Sequence, residues 1–265
     1  MIKKILITIF LSLFTINLNA EAKTYKMVFV PASEKGDESD YTSLIEITEK
    51  LTGLKIDTIK VTDYNAAVEA MRAGRAHIAW YGGKTYVKAA EIAQAEAFAA
   101  GVRPGEKDAG YYTYFVVKNE SNLKKFEDVK GKVLSLNTIG STSGDLIPQV
   151  ELSKINLSIK NKDHFKNVYY AGSHDACLLA VINNQSDVCG MSSRNFEARL
   201  EDGTFKKEDV RIIHKSNRVP PPPLAYSKMI PIEDRDKIKK AVLEAHKHGQ
   251  IGGYGGKMSH YMEVK

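Results

Sequence analysis

The residues best suited to chemistry lie together in Gly140-Ser141-Thr142-Ser143-Gly144. A strand-like run, Lys132 to Leu136, leads into them through Asn137-Thr138-Ile139, and a helix-like run leaves through Asp145-Leu146-Ile147-Pro148. Three consecutive hydroxyls therefore stand where a helix should begin. The first turn of a helix has N–H groups without intrahelical partners, and the helix dipole makes that end positive. Hydroxyls and open N–H groups at one helix start form a receptor for a tetrahedral oxyanion. The same residues also serve as ordinary N-caps between loop glycines, and the stretch alone does not separate the two readings. Four other stretches fall at strand-to-helix junctions or domain borders: Thr62-Asp63-Tyr64, Ala79-Trp80-Tyr81-Gly82, Gly110-Tyr111-Tyr112-Thr113 and Ser173-His174-Asp175. Tyrosine donates a hydrogen bond without a full charge, and His174 donates in either protonation state. Taken singly, each tyrosine also reads as interface packing with an exposed hydroxyl, and His174 as a solvated residue at a helix start.

The elements that must position these groups alternate. Strands are predicted at Tyr25–Pro31, Lys55–Val61, His77–Trp80 and Ala95–Ala100, separated by helical spacing over Tyr41–Leu51, after Asp63, and over Lys84–Ile92. Strand and helix in alternation argue a parallel sheet covered on both faces. A β-rich run, Tyr111–Lys118, follows a loop at Arg103–Gly110, and then the pattern restarts. Strands at Val133–Leu136, Asn167–Tyr170, Asp187–Met191 and Val210–Ile213 alternate with helices after Ser143, after Ser173 and over Asn195–Leu200. Pro220–Pro223 must be an extended connector. Leu224–Tyr226 reads as a returning strand, Ile232–His248 as a last helix, and the Gly-rich Gly249–Gly256 as irregular. The fold class expected is α/β with two lobes, the tail helix returning to the first. The chain would then cross between lobes twice, near Tyr114–Val117 and Pro223–Tyr226, forming a two-strand hinge. A cleft between such lobes is a natural ligand site.

Whole-chain features bound the function. Lys3 and Lys4, an apolar run from Ile5 to Phe14, and small residues at Ala20 and Ala22 read as a secretory signal peptide over 1–22, too short for a membrane span. Its removal lowers the net charge from +6 to +5. That excess is spread out, with no basic block or aromatic–basic ladder, so nucleic acid is not an expected partner. Cys177 and Cys189 are the only cysteines. In an oxidising compartment they read either as a disulfide or as two buried thiols. No cofactor or metal is expected, since no His or Cys pair has ligand spacing. A nucleophile elbow, a P-loop and H-E-x-x-H are all missing, so catalysis is not expected. A triad from Ser141, His174 and Asp175 is disfavoured, because adjacent His and Asp side chains seldom make the orienting bond.

Taken together, five stretches resemble the periplasmic phosphate/phosphite/phosphonate-binding proteins of ABC importers, the phosphonate-binding-protein family. They are Val61-Thr62-Asp63-Tyr64 with Glu69–Gly74, Ile78–Gly82, Gly110-Tyr111, Ser141–Gly144 with Leu146–Pro148, and Ala171–Asp175 with Ala180-Val181. The resemblance implies a type 2 periplasmic-binding clamp. Its lobe 1 would comprise 23–115 and 225–265, and its lobe 2 would comprise 116–224. It implies that Ser141, Thr142 and Ser143 hold phosphoryl or phosphonyl oxygens, that Tyr64 and Tyr111 donate from the opposite domain, that His174 donates from the second, and that Trp80 and Tyr81 line the wall. The implied function is that of a monomeric periplasmic protein delivering a phosphorus oxyanion to an ABC permease. A receptor component that presents its closed form to a signalling partner is the alternative. One departure stands out. Family members that bind aminoalkylphosphonates carry acidic residues where this chain has Arg194 and Pro222. An ammonium would be left unpaired there, so 2-aminoethylphosphonate is not the expected best ligand. Arg194 is expected either to meet a second anionic group or close the pocket, or to point to solvent.

Overall fold

The computed structural model describes residues 22–33 and 37–264; the expected signal peptide lies almost wholly outside them. In chain order the strands are β1 (Thr24–Phe29), β2 (Lys55–Ile59), β3 (Ile78–Trp80), β4 (Ala95–Val102), β5 (Thr113–Lys118), β6 (Val133–Leu136), β7 (Asn167–Tyr170), β8 (Val188–Ser192), β9 (Val210–Lys215), β10 (Leu224–Ser227), β11 (Ile251–Gly253), β12 (Gly256–Met258) and β13 (His260–Glu263). The helices are α1 (Asp37–Thr52), α2 (Tyr64–Arg72), α3 (Gly83–Ala93), α4 (Ile147–Lys154), α5 (His174–Ile182), α6 (Ser193–Glu201) and α7 (Ile232–Glu244).

Two sheets divide the chain into two α/β lobes. Lobe 1 holds the order β13-β4-β10-β3-β1-β2, and lobe 2 the order β7-β6-β8-β5-β9. Each has a parallel trio, β2-β1-β3 or β7-β6-β8, extended by antiparallel strands. In each lobe the strand beside the trio has just arrived from the other lobe: β10 pairs with β3, and β5 with β8. Strand β5 shows why the sequence reads as a continuous apolar run there. Phe115 and Val117 enter one core with Leu134 and Leu136, while Val116 enters another with Cys177, Leu178 and Met191. Alternate residues thus fill both faces of a sheet covered on both sides. Helix α2 buries Tyr64, Ala67, Val68 and Met71, the i, i+3, i+4, i+7 stripe of a helix with one core-facing side.

Tyr114–Val117 pairs on both sides, with β8 and β9, so it lies inside the lobe 2 sheet. The crossings themselves run just upstream of the expected positions. Tyr111 N donates to Val219 O (3.1 Å) and Val219 N to Tyr111 O (2.7 Å), and one step on Ser216 N donates to Thr113 O (2.9 Å). The two crossing segments are therefore bonded to each other, forming the two-strand hinge. The C-terminal stretch expected to be irregular is a hairpin, β11–β12, followed by β13, which joins the lobe 1 sheet against β4.

Cys177 of α5 and Cys189 of β8 form a disulfide, fully buried and closing a sequence separation of 12 residues. A loop of this size restricts the unfolded chain by an amount worth about 3 kcal/mol. The double variant Cys177→Ala/Cys189→Ala is expected to lose about that much stability in urea denaturation. An unchanged midpoint would mean that the bond does not stabilise lobe 2.

Candidate functional site

Four helix starts converge on one small cavity between the lobes. Tyr64 is the first residue of α2, behind the N-cap Asp63, whose carboxylate accepts from Ala66 N at 2.9 Å. Gly82 is the N-cap of α3 and has no side chain to satisfy the first turn. Ser141 caps a π-turn over Thr142–Leu146 that runs into α4. His174 opens α5 behind the N-cap Ser173. Tyr64, Gly82, Ser141, Thr142, Ser143 and His174 all line the cavity, together with Tyr111 from the crossing segment. The positive ends of four helices thus face one enclosed space, which favours negative charge there.

The side chains are held so that they offer protons. Ser141 Oγ accepts from Gly144 N (3.1 Å), and Thr142 Oγ1 accepts from Lys84 N of α3 (2.9 Å). His174 Nδ1 accepts from Ser192 N (3.2 Å), which leaves the proton on Nε2. In each case a backbone N–H takes an acceptor position, one of two on each hydroxyl and the only one on the imidazole, which turns these groups toward donating. Burial pushes the His174 imidazole down to about 3, so it is neutral at physiological pH. Tyr111 is buried beside the side chains of Thr142 and Ser143, and its burial raises its pKa, so its hydroxyl also keeps its proton. The Ser-Thr-Ser turn depends on Gly144: a Cβ there would lie 2.2 Å from Asn137 Cβ. Asn137 N donates to Gly144 O (2.9 Å), closing the turn back on the end of β6.

Among the described residues no charged side chain lines the cavity. An ion pair, Lys84 Nζ with Asp145 Oδ2 at 2.6 Å, spans the two lobes. Burial pushes the Asp145 carboxyl up, but the bonds from Lys84, Gly140 N and Tyr170 more than offset this, and it sits below the usual carboxylate range. The lobes also meet through Thr85 Oγ1 to Gly140 O (3.0 Å) and His174 N to Ala32 O (3.1 Å). The clamp is therefore described in a closed arrangement. Its cavity has a volume of about 10 Å³, room for about one water, so an extended molecule does not fit in this arrangement.

Two residues expected at the site lie elsewhere. Trp80 lines the cavity, but Tyr81, its neighbour, is turned into the lobe 1 core, where its hydroxyl donates to Ala67 O (3.3 Å). Successive residues along a strand point to opposite faces, so the two cannot share one wall. Arg194 is 2% exposed and does not reach the cavity. Its Nη2 donates to Ala109 O (2.7 Å) and Gly101 O (3.1 Å), binding α6 of lobe 2 to lobe 1. Of its three expected roles it neither meets a ligand in this cavity nor points to solvent; its bonds from lobe 2 to lobe 1 fit the remaining one, closing the lobes over the pocket. Tyr254, on the hairpin turn, lines the cavity and was not among the expected residues. The motif Gly252-Gly253-Tyr254-Gly255-Gly256 is a hairpin cue that could have marked it.

The neutral His174 has a consequence for stability. Its folded pKa, about 3, lies below its ordinary value, so its contribution is complete above about pH 6.5 and is lost as pH falls towards 3. Between about pH 7 and about pH 4.5 the wild type is expected to lose roughly 2–3 kcal/mol more stability than His174→Gln in urea denaturation. Equal losses would contradict the buried neutral imidazole.

Comparison with known proteins agrees with this architecture. The family described as ABC transporter, phosphonate, periplasmic substrate-binding protein matches residues 27–253. The phosphonates-binding periplasmic protein of Escherichia coli (strain K12) is 29% identical over 230 residues, covering 80% of this chain and 66% of the relative, so the chain spans just under two thirds of that protein's length. A binding-protein component of an ABC phosphonate transporter from Pseudomonas aeruginosa superposes with a TM-score of 0.79 at 22% identity, covering 92% of this chain and 82% of the other. PhnD1 of Prochlorococcus marinus (MIT 9301), in complex with methylphosphonate, gives 0.73 at 19% identity, covering 92% and 93%. The chain belongs to the family of periplasmic substrate-binding proteins of phosphonate ABC transporters.

Proposed function

We propose that this chain is a periplasmic solute-binding protein that captures a phosphorus oxyanion (phosphonate, phosphite or phosphate) between its lobes and delivers it to an ABC importer permease. The observation that carries the reading is the cavity itself, walled by neutral donors at four helix starts and, among the described residues, by no acceptor of full charge. Hydrogen bonds from neutral donors to a charged acceptor are each stronger than neutral pairs. The names of the relatives point the same way: one is a phosphonates-binding periplasmic protein, and one solved neighbour holds methylphosphonate. In this reading residues 1–22 are the export signal, the protein works as a monomer, and it turns over no substrate. The moving units are the two sheets with their helices, hinged at Tyr111–Thr113 and Ser216–Val219 instead of at the expected boundaries of 115 and 225. The ligand bridges Tyr64 and Gly82 on one lobe to Ser141, Thr142, Ser143 and His174 on the other, so binding and closure are one event.

The lining also limits the cargo. Among the described residues it contains no carboxylate, and Pro222, the position where the family resemblance implies an acidic partner for an ammonium, offers none. Titration calorimetry with phosphite, phosphate, methylphosphonate and 2-aminoethylphosphonate tests this. The last is expected to bind at least ~100-fold more weakly than methylphosphonate, the cost of a buried unpaired ammonium. Thr142→Val and Tyr111→Phe are each expected to weaken binding by roughly 10–100-fold while remaining folded, with Thr142→Val also losing about 1 kcal/mol of stability because Lys84 N loses its partner. Unchanged affinity in both variants would sink the assignment.

A further inference from the structure

Beside the donors already described, Trp80, Pro222 and Tyr254 complete the lining of the cavity. Tyr254 is 4% exposed, its ring centroid 4.6 Å from that of Trp80 and, edge-on, 6.3 Å from that of Tyr111. It lies one residue past the stretch matched by the family, 27–253.

The hairpin that carries Tyr254 is fixed in place by close approaches. A Cβ on Gly252 would lie 2.2 Å from Asp40 O, and one on Gly253 2.3 Å from Tyr261 Oη. Gly255 has φ +81°, and a Cβ there would lie 2.9 Å from Arg194 Cβ. Positive φ at the second turn position is tolerated by Gly at little steric cost. Within Gly252–Gly256 the only side chain is therefore the one aimed at the cavity. Tyr254 N donates to the hydroxyl oxygen of Tyr41 (3.2 Å), itself 1% exposed. From the other lobe, Arg194 presses on the turn, and its guanidinium lies 5.9 Å from the Tyr111 ring. The backbone beneath Tyr254 cannot shift unless the hairpin leaves α1, β13 and α6 together, and the ring itself is packed against Trp80 and Tyr111.

We infer that Tyr254 is a specificity-determining residue. It limits the ligand to a tetrahedral oxyanion whose fourth substituent is uncharged and no larger than a methyl group. This rests on the reading of the cavity as a phosphorus-oxyanion site and names the ligand class within it. A rigid aromatic wall rejects added methylenes by overpacking, and each added methylene is worth about tenfold or more.

The test is a calorimetric series on the full-length mature protein with phosphite and with methyl-, ethyl-, propyl- and phenylphosphonate. The wild type is expected to bind propylphosphonate at least ~100-fold more weakly than methylphosphonate. Tyr254→Ala should close that gap by at least ~10-fold, whereas Tyr254→Phe, which keeps the ring, should preserve the wild-type ranking. Wild-type binding of propyl- and phenylphosphonate within a few-fold of methylphosphonate overturns the inference, whether or not Tyr254→Ala folds. So does a folded Tyr254→Ala with the wild-type ranking, or a Tyr254→Phe that loses it. Binding of none of the series by the wild type overturns the ligand reading itself.

Discussion

The site depends on where its acceptors are used. Backbone N–H groups of Gly144, Lys84 and Ser192 bond to Ser141 Oγ, Thr142 Oγ1 and His174 Nδ1. A hydroxyl or a neutral imidazole both donates and accepts, and so does not by itself distinguish an anion from water or a cation. With the imidazole's acceptor taken from within and one acceptor position of each hydroxyl used, the cavity is biased toward presenting protons. Each of these bonds comes from a helix start or a strand end, so the selectivity is built from secondary structure rather than from charged side chains.

The same bonds couple the site to the fold. Lys84 belongs to lobe 1 and Thr142 to lobe 2, so one ligand-facing hydroxyl is oriented only when the lobes meet. The Lys84–Asp145 pair and the Thr85–Gly140 bond close the neighbouring edge. Ser192, which sets the His174 tautomer, is also the N-cap of α6, and two residues on, Arg194 ties α6 to the carbonyls of Gly101 and Ala109. Lobe closure, donor orientation and the seat of the C-terminal hairpin are thus linked by contiguous contacts. The tied groups are neutral or locally paired, so the site has little net charge to screen.

Much of this was legible in the sequence. The Ser-Thr-Ser stretch, Tyr64, Tyr111 and His174 sit where local rules place helix starts and domain crossings, and alternating strands and helices indicated two α/β lobes. Trp80 and Tyr81 could not be separated, because which of two adjacent residues faces inward depends on the pairing of the strand. The role of Arg194 stayed open among three because its partners, Gly101 O and Ala109 O, are backbone atoms about 90 residues away, and sequence patterns carry no trace of such bonds. Tyr254 was missed because five residues with four glycines read as flexible until their close approaches to Asp40, Tyr261 and Arg194 are seen. The cysteine pair was open in the sequence, since helix α5 and strand β8 had first to be packed together.

The most direct test of an anion held by neutral, oriented donors is the salt dependence of its binding. The dissociation constant of methylphosphonate would be measured from about 20 mM to about 500 mM salt, a range over which charge-based attraction is strongly screened. The account predicts binding that changes by less than about threefold across that range, because buried hydrogen bonds carry it. A weakening of about tenfold or more, or no binding of methylphosphonate, phosphite or phosphate at any salt, would contradict it.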